Sequence, residues 1–317
     1  MSTAKENGDD QRAFTYLVGI GVTHSVAPTM HNYVAKSLGY GWQFKSQECP
    51  TIQDLLQLFH QPSFAGGVVT MPYKIAIIEH LDGLDEAAKL LGACNNVYRA
   101  KDGKLQGSNT DWRGIKGCLE SGTASGRGDE GQGKPALLVG AGGAARAAVY
   151  VLHRVFGCHP IYVVNRDEGE VEALLRDTKA YGDDVKAIHI RSVDQAKEVM
   201  PKRGLPYFVV GTVPDFEPQT PNEIQVRDIL EYSFANSSGK GVLLDMCFKP
   251  RRTRTIKLAE KHGWKTVEGT GVIGHQIKEQ YRLWSTVSNS TPVTDEIQEG
   301  AWKALNKAAD ESPFINF

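Results

Sequence analysis

Side chains able to do chemistry recur in this chain directly after short apolar runs, where α/β folds present groups to small ligands. His24-Ser25 follow the run Tyr16–Val22, Thr70 stands at the end of the run Ala65–Met71, and Lys74 follows it. Asn95-Asn96 stand before a hairpin signal, and Asn109-Thr110-Asp111 stand after it at the start of a helix. Singly, each has a plainer reading: Ser25 as a turn former, Asp111 as a helix cap, Lys74 as a solvated charge. Together they supply a hydroxyl, an amine, amides and a carboxylate, a set that suits a small polyhydroxy acid.

A second group of residues points to a nucleotide. Ala136–Val139 is a buried-strand pattern, followed by Gly140-Ala141-Gly142-Gly143-Ala144-Ala145 and a helical run to Arg154. Strand, glycine turn and helix in that order form the phosphate-binding opening of a Rossmann-type fold. Gly140 permits the tight turn, and Gly142 lets backbone N–H groups approach a pyrophosphate. The next apolar run, Ile161–Val164, ends in Asn165-Arg166-Asp167-Glu168, where such folds read the adenosine ribose. Two acids against one arginine favour the free 2′-hydroxyl of NAD over the 2′-phosphate of NADP.

The elements that must position these groups divide the chain in two. Trp42–Cys49 reads as a strand, Thr51 caps a helix with Ile52, Leu55, Leu56 and Phe59 on one face, and Pro28 and Pro72 open helices. Asp85–Leu91 is a helix closed by Gly92, and Val97–Ala100 with Leu105–Gly107 forms a hairpin. Ser121–Lys134 is a glycine-rich, polar stretch that reads as a surface loop or linker between two domains. The expected fold is α/β: a substrate domain over 1–120, a Rossmann-like domain over 121–275, and C-terminal helices over 276–317. These helices, Gln276–Val287 and Thr294–Ala309, are expected to cross back onto the first domain.

Composition narrows the class of partner. The 317 residues carry a net charge of -1, with 41% hydrophobic and 23% charged content, which gives no electrostatic reason to expect nucleic acid or an anionic membrane. The start lacks an apolar signal-peptide core, and no run is long enough to span a bilayer. Cys49, Cys94, Cys118, Cys158 and Cys247 lack C-x-x-C spacing, which fits reduced thiols in a cytoplasmic protein and no metal site.

In ordered blocks over nearly its whole length, the chain resembles the shikimate/quinate dehydrogenase family. The blocks are HSVAPTMHN (His24–Asn32), VVTMPYK (Val68–Lys74), GACNN (Gly92–Asn96), GSNTD (Gly107–Asp111), the loop Gly140–Arg146, DMCFKPRRT (Asp245–Thr253) and GVIGHQIKEQYRLW (Gly271–Trp284). The resemblance implies NAD(P)-linked oxidation of the C3 hydroxyl of quinate or shikimate, with Lys74 and Asp111 as the catalytic pair. Lys74 would act as the formal base or steady a developing alkoxide. Ser25, Thr70, Asn95 and Gln276 would hold the substrate, with Ala27 beside its carboxylate. Gly140, Ala141, Gly142, Gly143, Ala144, Asn165, Arg166, Asp167, Thr212 and Gly269 would hold the cofactor. Four positions depart from the family pattern: Ala27 and Asn96 replace a serine and a threonine, Val68 an asparagine, and Phe248 a tyrosine. With Lys74 and Asp111 kept, the departures argue for an altered substrate shell and for quinate with NAD. The competing readings are an NADP-linked biosynthetic shikimate dehydrogenase and a non-catalytic sensor of cofactor and ring acid.

Overall fold

The computed structural model describes residues 12–182, 185–237, 241–286 and 292–317. The end of the expected helix Gln276–Val287 lies outside the described residues. Two six-stranded sheets carry the chain. The first is built from β1 (Phe14–Gly19), β2 (Gln43–Glu48), β3 (Phe64–Val69), β4 (Gly83–Leu84), β5 (Asn96–Arg99) and β6 (Leu105–Ser108), in the order β2-β1-β3-β5-β6-β4. Strands β1, β2 and β3 are parallel, and β5 runs antiparallel to both β3 and β6. That polarity brings the C-terminal ends of β1, β3 and β6 and the N-terminal end of β5 to one edge. Every candidate substrate residue of the first half of the chain is attached at this edge.

The second sheet is wholly parallel: β7 (Ala136–Val139), β8 (Ile161–Val164), β9 (Ala187–His189), β10 (Phe208–Gly211), β11 (Val242–Asp245) and β12 (Lys265–Glu268). Its order β12-β11-β10-β7-β8-β9 reverses direction between β7 and β10, the crevice where ligands bind in such sheets. The strands β7, β8, β10 and β11 are buried on both faces, as continuous apolar runs require.

Helices connect the two halves. Helix α1 (Ala27–Ser37) has Pro28 in its first turn, and α2 (Ile52–Phe59) starts with a capping box between Thr51 and Asp54. Helix α3 (Glu86–Leu91) begins at the Asp85 cap and ends at Gly92 in the left-handed region. Helix α4 (Asp111–Gly122) leaves the first sheet, and its Leu119 and Ile115 share an apolar core with Leu138 and Val210 of the second. Helices α5 (Gly143–Tyr150), α6 (Glu168–Asp177), α7 (Val193–Arg203), α8 (Pro221–Asn236) and α9 (Arg254–Lys261) cover the parallel sheet. Helix α10 (Thr270–Trp284) and α11 (Asp295–Glu311) return to the first half, where Ile277, Tyr281, Trp284 and Leu305 pack with Met30 and Phe44.

The glycine-rich stretch is the expected surface loop: after α4 ends at Gly122, residues 123–134 are mostly exposed yet hydrogen-bonded, with Gly128 N–H donating to Thr123 Oγ1 at 3.0 Å, Ser125 Oγ donating to Glu130 at 2.9 Å, and Gly131 buried beside Phe208. Its glycines admit the rings of Phe156 and Phe208, a use that composition does not distinguish from looseness. The division at 275/276 falls inside α10. Gly271 and Gly274 resemble a break, yet they sit against Cys118 of α4 and Trp302 of α11.

Candidate active site

Lys74 stands in the turn after β3 and Asp111 opens α4, and the sheet edge brings them together. Lys74 Nζ donates to Asp111 Oδ2 at 2.5 Å, with the lysine side chain 15% and the carboxylate 4% exposed. A carboxylate that deep needs both a counter-charge and hydrogen bonds. Asn95 Nδ2 donates to Asp111 Oδ1 at 2.8 Å, and Asp111 N–H donates to Asn109 Oδ1 at 3.0 Å. Asn109 is in turn fixed by its own donation to Ala93 O at 2.9 Å.

Gln276 comes from α10, which lies close on α4 because Gly114 and Gly117 leave room for Val272 and His275. Its Oε1 accepts from Asn95 Nδ2 at 2.9 Å and from Thr110 Oγ1 at 2.5 Å. Thr110 N–H donates to Asn95 Oδ1 at 2.6 Å. Lys74, Asp111, Asn95 and Gln276 therefore form one connected network. Asn109 and Thr110, assigned no role beforehand, brace it.

Ser25 and Thr70 are half-buried at the same edge. Ser25 Oγ accepts from Ala27 N–H at 3.2 Å, so its proton stays available to a carboxylate. Thr70 N–H donates to Val18 O at 2.9 Å, which fixes the residue at the end of β3. Ala27 is 5% exposed and packs with Val26 and Met30. Phe248 reaches from the loop after β11 to His24, ring centroids 5.4 Å apart, and burial together with the Lys249 charge lowers the His24 pKa.

Two of the departures lie outside this shell. Val68 and Asn96 are register partners across β3 and β5. Asn96 is fully buried, and its Oδ1 accepts the Trp284 indole N–H at 3.0 Å. Its amide secures α10 to the sheet, which corrects the expectation that all four changes alter the substrate shell.

The glycine loop fits a dinucleotide phosphate. Gly140 has φ 108°, in the region that favours glycine, and the Thr212 hydroxyl occupies the place of its absent Cβ while donating to Val139 O at 2.8 Å. A Cβ at Gly142, the N-cap of α5, would meet nothing within 4 Å. Arg146, missed in the sequence reading, donates to the carbonyls of Ala141 at 3.1 Å and Gly142 at 3.2 Å and pairs with Asp177. Those carbonyls are tied inward, and the N-terminal amides of α5, Gly143 and Ala144 among them, have no side-chain cap. Gly269, the N-cap of α10, lies against the carbonyls of Met246 and Asp245.

At the adenosine end the charges are already partnered. Arg166 donates to Glu223 at 2.6 Å, and Glu168 pairs with Arg191 from the end of β9. Asp167 caps α6 by accepting from Glu170 N–H at 3.0 Å, and Asn165 Nδ2 donates to Asp167 O at 3.0 Å. Asn165, Arg166, Glu168 and Arg191 line a cavity of about 130 Å³. Arg191 and Glu223 carried no motif that would single them out.

Residues 17–97 match the shikimate dehydrogenase substrate binding domain. The chain is 36% identical over 296 residues to the quinate dehydrogenase of Emericella nidulans, covering 87% of this chain and 88% of that one. It is 33% identical over 272 residues to the pentafunctional AROM polypeptide of Kluyveromyces lactis, which aligns 85% of this chain to 17% of that protein. Among solved structures, the shikimate 5-dehydrogenase of Thermus thermophilus, in complex with NADP(H) and shikimate, is 25% identical with a TM-score of 0.68, covering 92% of this chain and 99% of that one.

Proposed function

The chain belongs to the shikimate/quinate dehydrogenase family and is an NAD(P)-dependent oxidoreductase, and from that premise we propose that it oxidises the C3 hydroxyl of quinate with NAD. The observation that carries this reading is the Lys74–Asp111 pair at 2.5 Å, joined through Asn95 to Gln276 where both halves of the chain meet. Lys74 Nζ takes the proton of the reacting hydroxyl. Asp111 holds the amine in place and balances the charge it gains. Asn95 and Gln276 fix the carboxylate, so little reorganisation accompanies proton transfer. Ser25 and Thr70 donate to the substrate carboxylate and ring oxygens. Gly140–Ala144 would hold the pyrophosphate of the dinucleotide, whose nicotinamide supplies the acceptor for the hydride.

Quinate is favoured by Ala27. A tetrahedral C1 carries a hydroxyl beside the carboxylate, and the Ala27 methyl leaves space where a serine would compete for it. NAD is favoured by charge: Asp167, Glu168, Glu170 and Glu223 outnumber Arg166 and Arg191, and each arginine is already paired. A 2′-phosphate would have to displace a carboxylate from either guanidinium. The five cysteines are unpaired, which supports a reducing compartment such as the cytoplasm.

The test is a spectrophotometric assay of reduced nicotinamide with NAD or NADP and with quinate or shikimate. The expected order places NAD with quinate first in kcat/KM. No rate with any pairing would point instead to a sensor, and a preference for NADP with shikimate would point to the biosynthetic reaction.

A further inference from the structure

Gly142 and Gly143 adjoin in the dinucleotide loop but face different surroundings. Gly143 opens α5 and is not among the glycines with left-handed φ, so its backbone does not require glycine. A Cβ built there would lie 2.9 Å from Lys74 Cβ, 3.5 Å from Lys74 Cδ and 3.7 Å from Ala93 Cβ. The first distance is too short for two carbon atoms. Lys74 Cβ is the root of its side chain, so no rotation about χ angles removes the clash. The backbone around Lys74 would have to move, and it is held: Tyr73 N–H donates to Thr70 O at 3.0 Å, and Cys94 N–H donates to Lys74 O at 2.7 Å.

We propose that Gly143 is a positioning residue for Lys74, its missing side chain setting how closely the lysine stands to the dinucleotide loop. The inference rests on the role given to Lys74 in the proposed function. A shift at the root carries along the stem to Nζ, where the Asp111 contact measures 2.5 Å. Proton transfer tolerates such displacements poorly, since about 1 Å of misplacement can cost about a hundredfold in rate.

The test is Gly143→Ala in the full-length enzyme, with Gly143→Ser as a second side chain at the same place. Alanine suits the start of a helix, but the backbone around Lys74 must give, so the thermal midpoint is expected to fall modestly with the fold kept. NAD affinity is measured alongside by calorimetry, because Gly143 also belongs to the phosphate loop, and kcat is therefore read at saturating NAD. At saturating NAD and quinate, kcat is expected to fall about tenfold or more, with a displaced pH profile of kcat. Retained kcat would overturn the assignment, whether or not NAD binding weakens. A fall in kcat with an unmoved pH profile would overturn it too, because the proton-transfer geometry would then be intact. Lys74→Ala assayed alongside separates the two ideas: full turnover there removes the catalytic role of Lys74, whereas full turnover in Gly143→Ala removes only the role of Gly143.

Discussion

Asp111 is 3% exposed, so Lys74 is the partner that makes a buried carboxylate tolerable, and in the proposed reaction it is also the group that meets the substrate. Lys74→Ala is expected to lower kcat by about two to four orders of magnitude with little change in KM. It also leaves a charge without its partner, a change that costs about 3–5 kcal/mol for a buried pair, so the urea midpoint should fall as well. Asp111→Asn keeps the size and most hydrogen bonds but loses the charge that positions the amine, so kcat should fall steeply with a smaller loss of stability. Near-parental turnover in either variant would remove the pair from the mechanism. If Ala27 selects the acid by volume, as proposed, Ala27→Ser should move the quinate-to-shikimate ratio of kcat/KM toward shikimate by about tenfold, or about 1.4 kcal/mol. An unmoved ratio would mean that Ala27 does not choose between the acids. The proposed substrate-side residues were singled out because each stands in a compact block of the chain. Thr110 and Gln280 stand in such blocks too, but their hydrogen bonds to Gln276 Oε1, at 2.5 and 3.3 Å, depend on how α10 lies against the start of α4 and on the helix's own turn, which no block states.

Among the elements, β3 is a strand as its apolar run suggests, but its sequence Phe-Ala-Gly-Gly-Val-Val does not say why two glycines stand in a strand interior, where they leave nothing to pack. In the structure the indole of Trp284 fills the space above Gly66, and Phe59 fills that above Gly67. The strand is the seat of a returning helix. A methyl at Gly66 would lie inside the indole, so Gly66→Ala is expected to cost about 1–3 kcal/mol or more, read as a lowered urea midpoint. Gln276 sits two turns before Trp284 on α10, so the same variant should raise KM for the ring acid more than that for NAD. A parental midpoint would show that α10 is not secured there. The positions of Val68 and Asn96 in the chain reveal nothing of this, because the Asn96–Trp284 bond spans 188 residues.

At the scale of the molecule, the alternation of apolar runs and turns made the two halves legible, while the angle at which their sheet edges meet had no local signature. The packing that joins them buries groups whose cost appears as pH dependence. His31 of α1 is 1% exposed and stacks on Phe44 with centroids 4.0 Å apart, between Tyr281 and Trp284 of α10. Burial pushes its pKa from the ordinary 6.5 down to about 3. Between those values the unfolded chain binds a proton that the folded chain refuses. The stability due to a neutral His31 is therefore complete above pH 6.5 and declines as pH falls toward 3, by up to about 1.4 kcal/mol per pH unit. Asp245 carries the opposite sign: burial raises its carboxyl to about 6, so its contribution falls as pH rises from the ordinary 3.8 through 6. Because the two oppose each other between about pH 4 and 6, the parental curve alone does not isolate either. His31→Phe keeps an aromatic ring in the stack and removes the titration. Urea midpoints of parent and variant at pH 7 and pH 5 should show the parent losing more stability on acidification, with the difference near 2 kcal/mol for a drop from above the unfolded pKa to about 1.5 units below it. Equal losses in the two proteins would mean that His31 takes up its proton without leaving the fold.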